Sequence, residues 1–125
     1  MTVQAGPQPL AQERWQHRPL VLAIPDTDRA DYLTFRQQMD DHRAGMADRD
    51  MVVYVVTPET ARRNGEPLSE PQRRALVDGL AVRPAEQAEF ILIGKDGTEK
   101  NRGPFPPSID ALFEQIDAMP MRQRH

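Results

Sequence analysis

Pro19-Leu-Val-Leu-Ala-Ile24 runs through six residues without a charge and is closed by Pro25. An apolar run of that length suits a strand covered on both faces, as in parallel sheets flanked by helices. Met51-Val-Val-Tyr-Val-Val56 repeats the pattern with more β-branched side chains, and Thr57-Pro58 ends it. Phe90-Ile-Leu-Ile93 is the third such run. Gly94-Lys-Asp-Gly97 then signals a tight turn into the polar Thr98-Glu-Lys-Asn-Arg102. That pairing reads as a hairpin with a charged edge strand, which discourages edge-to-edge association.

Helical periodicity fills the gaps. From Arg29 to Asp48, the residues Tyr32, Phe35, Met39, His42 and Met46 recur at spacings of three and four and define one apolar face. Asp26, Thr27 and Asp28 precede it as capping candidates. A second helix begins near Ser69, which has capping-box spacing to Gln72 and Pro71 in its first turn. It turns Ala75, Leu76 and Leu80 inward. A third follows Ser108 with Ile109, Leu112, Phe113 and Ile116 on one stripe, and stops before Pro120. The order is β-α-β-α-β-β-α. Two strands joined by a helix must be parallel, and the last two form an antiparallel hairpin. The fold expected is therefore α/β and thioredoxin-like, with a central mixed four-stranded sheet flanked by helices.

The chain has 125 residues, enough for one compact domain and too few for two. Residues 1–10 read as a loose N-terminal leader and 11–125 as a single thioredoxin-like domain, in which Trp15 is expected to pack at a core edge. Sixteen basic against nineteen acidic side chains leave a net charge of −3, the wrong sign for a general nucleic-acid binder. No stretch approaches the roughly 20 apolar residues of a membrane-spanning helix. Residues 1–12 do not read as a secretory signal. The compartment stays open: periplasmic or exported if a signal has been trimmed, cytoplasmic otherwise.

Four segments carry a family resemblance. They are Arg14-Trp15 followed by Arg18-Pro-Leu-Val-Leu22, then Arg49-Asp-Met-Val-Val53, Phe90 to Gly97, and the closing Ile116-Asp-Ala-Met-Pro-Met-Arg-Gln-Arg124. Together they resemble the bacterial family called domain of unknown function 4174 over about residues 10 to 124, the last segment being the most specific. The resemblance implies a thioredoxin- or peroxiredoxin-like fold. It also implies kinship with domains in secreted sushi-repeat and coiled-coil matrix proteins, and export for many bacterial members. It implies no activity.

Thioredoxin-like enzymes place a reactive cysteine after the first strand, where the helix start stabilises a thiolate. This chain has no cysteine. Thiol-disulfide and peroxidase chemistry of that kind is excluded, because the nucleophile does not exist. Where the thiolate would sit, the loop Ile24-Pro-Asp-Thr-Asp-Arg29 offers Asp26 and Asp28. The position of those enzymes' cis-proline, just before the third strand, falls at about Glu89, and Pro84 lies several residues too early.

Other chemistries fail on spacing. Asp26, Asp28 and Asp31 do not continue into a calcium loop, since Asp31 stands where a glycine is needed and Gln37 where a glutamate is. His17, His42 and His125 are dispersed, with His42 expected as a hydrogen-bonded histidine at the core edge. Ser69 and Ser108 read as caps and no nucleophile elbow exists. Gly94 and Gly97 lead into a strand and so form no phosphate loop. Arg62-Arg63 and Arg73-Arg74 read as solvated surface. Arg122 and Arg124 have two readings: a bidentate clamp for a carboxylate or phosphate, or surface pairs with Asp48, Asp50 or Asp117.

The function expected is a non-redox binding or interaction module using Asp26, Thr27, Asp28, Arg29, Glu89, Arg122 and Arg124. It would have no cofactor, metal or catalytic residue, and its partner would be a protein or a small anionic ligand. The alternatives are an enzyme using carboxylate and arginine groups at the first helix start, or a structural subunit joined through Trp15 or the edge strand 98–102.

Overall fold

A computed structural model describes residues 9–119. A short 3-10 turn over Pro9–Glu13 leads into β1 (Arg18–Ala23), α1 (Ala30–Asp41), α2 (Arg43–Asp48) and β2 (Met51–Val56). Next come β3 (Ala61–Arg63), β4 (Glu66–Pro67) and α3 (Glu70–Leu80). The described chain closes with β5 (Glu89–Ile93), β6 (Glu99–Pro104) and α4 (Ile109–Asp117).

The strands form one mixed sheet in the order β4-β3-β2-β1-β5-β6. β1 and β2 run parallel, from Arg18 opposite Met51 to Ala23 opposite Val56. Every other pairing is antiparallel. The four expected strands are present, but the sheet has six. Asn64 and Gly65 both take positive φ, at 47° and 87°, and turn Arg63 back into Glu66 as a hairpin on the outer side of β2. Asn-Gly is the dipeptide that tolerates such a turn.

Helices cover both faces. On one, Leu20, Leu22 and Ile24 of β1 and its exit pack with Phe90 and Leu92 under Tyr32, Phe35, Ile109, Leu112 and Ile116 of α1 and α4. On the other, Val21, Val52, Tyr54, Val56 and Ile91 pack with Leu76 of α3. Tyr54 and its neighbours Val52 and Val56 are fully buried, whereas Met51, Val53 and Val55 are only half-buried. The expectation that β2 is covered on both faces is therefore corrected. α1 and α2 cover this face of β2 only in part, and the added hairpin extends the sheet beyond them.

Three local expectations change as well. The 29–48 helix is two helices, separated at His42, whose backbone leaves the helical region at φ −109°, ψ 20°. Its ring Nδ1 lies 2.8 Å from the Gln38 carbonyl and its ring packs edge-on to Phe113. The apolar spacing continues through the break, so periodicity does not reveal it. Trp15 is 59% exposed and packs at no core edge. Its segment is held through Glu13 instead. Arg29, not an aspartate, is the N-cap of α1, and it makes no side-chain cap bond.

The other caps stand as read. Ser69 Oγ accepts from Gln72 N while Gln72 Oε1 accepts from Ser69 N, and Ser108 Oγ accepts from Ala111 N. α3 ends on Ala81 in the left-handed region, at φ 55° and ψ 43°. A Cβ is disfavoured there. Ala81→Gly should raise stability by about 0.5–1 kcal/mol. A thermal melt should show this as a rise of about 2–4 °C.

Candidate functional site

The loop leaving β1 is short and internally bonded. Ile24 N–H donates to Val56 O, which carries the chain one residue past the β2 pairing. Asp26 Oδ1 then accepts the Asp28 N–H at 2.9 Å, closing an Asx turn. The Arg29 guanidinium makes two hydrogen bonds to Asp31, Nε to Oδ1 at 2.9 Å and Nη2 to Oδ2 at 2.7 Å. Asp31 thus supplies the negative charge in the first turn of α1. Asp26 and Arg29 shape the loop, while Thr27 and Asp28 face outward at the mouth of a groove.

That groove, about 800 Å³ in volume, runs from the loop along α1 and α2 above the half-covered face of β2. Its floor is Met39, Met46, Met51, Val53 and Val55. One wall is the α1 face with Tyr32, Leu33 and Arg36, continuing to Asp40 and Arg43. The opposite wall is the β3–β4 hairpin, with Arg62, Asn64 and Gly65. Local structure explains each part. Alternation along β2 sends Val53 and Val55 to the side opposite Tyr54. The two added strands supply the far wall.

The polar groups around the groove are unequally occupied. Arg43 reaches Asp40 at 3.1 Å, and Arg62 Nη1 donates to the Gly65 carbonyl at 3.0 Å. Asn64 Oδ1 accepts from Val53 N. Among the described residues, no hydrogen bond engages the Tyr32 hydroxyl and no ion pair engages Arg36.

Glu89 is not part of this site. It heads β5 opposite Ala23, on the sheet face away from Phe90 and Leu92. There it accepts from Arg102 Nε at 2.9 Å, and Arg102 also donates to the Ala81 carbonyl at the end of α3. The Glu89 bond holds the Arg102 pKa above its ordinary value against the opposing effect of burial. The carboxylates of the loop and of Glu89 therefore occupy opposite faces and do not converge. Among the described residues, the cis bond is Phe105–Pro106, beyond β6. Arg122 and Arg124 lie outside the described residues. Of the acids considered as their partners, Asp117 pairs with Arg49 and Asp50 with Lys95.

One polar cluster was not anticipated. Glu13, 3% exposed, accepts from the Tyr54 hydroxyl at 2.5 Å and from Arg63 Nε and Nη2 at 2.6 and 3.2 Å, with His17 Nδ1 at 2.9 Å. Arg63, though 38% exposed, is therefore tied to Glu13 rather than solely solvated. Burial pushes the Glu13 carboxyl up, but bonds from Arg63, Tyr54 and His17 together hold it below the ordinary 4.5. Burial, then the bond to Glu13, raises the Tyr54 phenol. Tyr54 and Arg63 lie 41 and 50 residues from Glu13, so no local pattern signals them, and His17 alone is near in sequence, four residues on.

Among the described residues, no three His, Asp or Glu side chains are placed to hold a metal, and no helix is long and apolar enough to cross a membrane. What the fold and site define is a cysteine-free α/β domain with a broad groove, apolar below and charged at its rim. The family described as Domain of unknown function (DUF4174) matches residues 9–125, and the chain belongs to it. No curated protein matches the chain.

Proposed function

We propose that residues 11–125 form one thioredoxin-like domain that binds a partner or ligand in this groove and performs no thiol chemistry. The strand order β2-β1-β5-β6, with α1 and α4 on one face and α3 on the other, supports the fold. The β3–β4 hairpin is then an addition to that scaffold. The observation that carries the function is the groove itself, an apolar floor left uncovered beside the helix start. Thr27 and Asp28 contact what is bound; Asp26 and Arg29 keep the loop in shape. Arg122 and Arg124 remain proposed contacts from the C-terminal segment.

Mapping amide shifts of the labelled protein against a small-fragment library tests this. Perturbations are expected to concentrate on Thr27, Tyr32, Leu33, Met39 and Val53. Fragments that never perturb these residues, or that collect elsewhere, contradict it.

The subunit reading is supported by the exposed indole of Trp15 and by β6, which stands exposed at the edge of the sheet. If Trp15 joins two chains, sedimentation should show a concentration-dependent dimer that Trp15→Ser abolishes. A monomer at all concentrations removes that reading.

A further inference from the structure

We propose that the groove takes an unbranched alkyl chain bearing a single carboxylate, a medium-chain fatty acid. The proposal rests on the groove being the binding site and adds the chemistry of its occupant.

The floor selects a flexible apolar chain. Met39, Met46 and Met51 are unbranched thioethers that adapt to an irregular hydrocarbon. The β2 residues between them contribute only valine side chains. The groove lies on the face of the sheet, not along an edge. Backbone groups of β2 are already bonded to β1 and β3. An extended peptide laid here would find no ladder for its own N–H and C=O groups, and burying them unpaired is unfavourable. Hydrocarbon makes no such demand.

The wall selects one negative charge. Tyr32 is nine-tenths buried and lines the groove, and its hydroxyl, which makes no hydrogen bond among the described residues, stays open to solvent there. Arg36, one helical turn on, lies on the same face of α1; it is exposed and makes no ion pair among the described residues. A phenol O–H and a guanidinium can both donate to one carboxylate. The rim as a whole carries Arg36, Arg43 and Arg62 against Asp28 and Asp40. A surplus of one positive charge, in a chain of net −3, matches a monoanion. A phosphate dianion would meet Asp28 and Asp40 with one charge uncompensated. The volume, about 800 Å³, lies within the roughly 300–1,000 Å³ of small-molecule sites.

The test is an amide-shift titration of the protein with hexanoate, octanoate and decanoate below their micelle concentrations, with 1-octanol and octyl phosphate as comparators. Shifts should centre on Tyr32, Arg36 and Val53, and each added methylene should tighten binding about fourfold. Arg36→Gln should weaken octanoate about tenfold or more while leaving 1-octanol unchanged, and Tyr32→Phe should weaken it severalfold. The same spectra verify that each variant is folded. Octanol or octyl phosphate binding as tightly as octanoate overturns the carboxylate assignment, as does octanoate binding outside the groove. If library fragments fill the groove and fatty acids do not, the fatty-acid assignment fails alone. If neither binds, the groove reading falls with it.

Discussion

Glu13→Ala should lower the stability of the folded chain by about 3 kcal/mol, toward the lower end of the roughly 3–5 kcal/mol typical of breaking a buried ion pair. The carboxylate is buried and serves Tyr54 and Arg63, which belong to neighbouring strands, and His17 just before β1. Removing it takes the close acceptor from the Tyr54 hydroxyl inside the core, where the Pro9 carbonyl stands 3.4 Å away. Arg63 is 38% exposed and recovers some hydration, which moderates the loss. Glu13→Gln keeps an acceptor for Tyr54 but no charge for Arg63, so it should fall between alanine and wild type.

The same group sets an acid limit. Its folded-state pKa lies below 4.5, so its contribution is fully present above that value and is lost as pH falls through the folded pKa. Asp96, held at about 2 by the Thr98 backbone and side chain and by Lys100, adds to the loss over the same range. Denaturant unfolding from pH 6 to pH 2 should show stability decreasing below about 4.5, with a shallower decrease in Glu13→Gln. Equal slopes for the two proteins contradict the assignment.

Arg49→Ala should lower stability by about 2–3 kcal/mol, more than an exposed arginine warrants. Its side chain, 16% exposed, makes paired bonds to Asp117 at 3.0 and 2.9 Å and donates to the Gly45 carbonyl at 2.9 Å. The guanidinium also stacks over Phe113, 4.0 Å from the ring centroid. One residue thus ties α2 to α4 beside the start of β2. Close packing agrees: a Cβ at Gly45 would stand 2.8 Å from the Phe113 ring. Arg49→Lys keeps the charge but neither the fork nor the stacking, and should recover less than half of the loss. Full rescue by lysine in chemical denaturation contradicts this account.

The parts of the fold that were legible are those where local chemistry and burial agree. The apolar runs at 19–24, 51–56 and 90–93 match β1, β2 and β5 within a residue or so, and the Ser69 and Ser108 caps sit where the spacing placed them. The β3–β4 hairpin escaped because its strands are three and two residues long and hold little that is apolar. Asn64-Gly65 was its visible signal. The break at His42 escaped because apolar residues keep the same spacing on both sides of it.

At the site, the loop after β1 was legible as a location, because a strand-to-helix turn follows from periodicity. The roles of its residues were not. Asp26 and Arg29 are bonded to local partners, and Glu89 faces Arg102 across the sheet, neither of which spacing encodes. The groove depends on which face of β2 stays uncovered. That is decided by the width of a sheet whose β3 and β4 were unread.

Whether that face is open can be measured on the valine methyl groups, with a soluble paramagnetic probe added to the protein. Val52 and Val56 on the same strand, only 1% and 0% exposed, are the internal reference. An open groove predicts much stronger relaxation at Val53 and Val55 than at those two. Equal protection of all four would mean that both faces of β2 are closed, leaving no floor on which anything could bind.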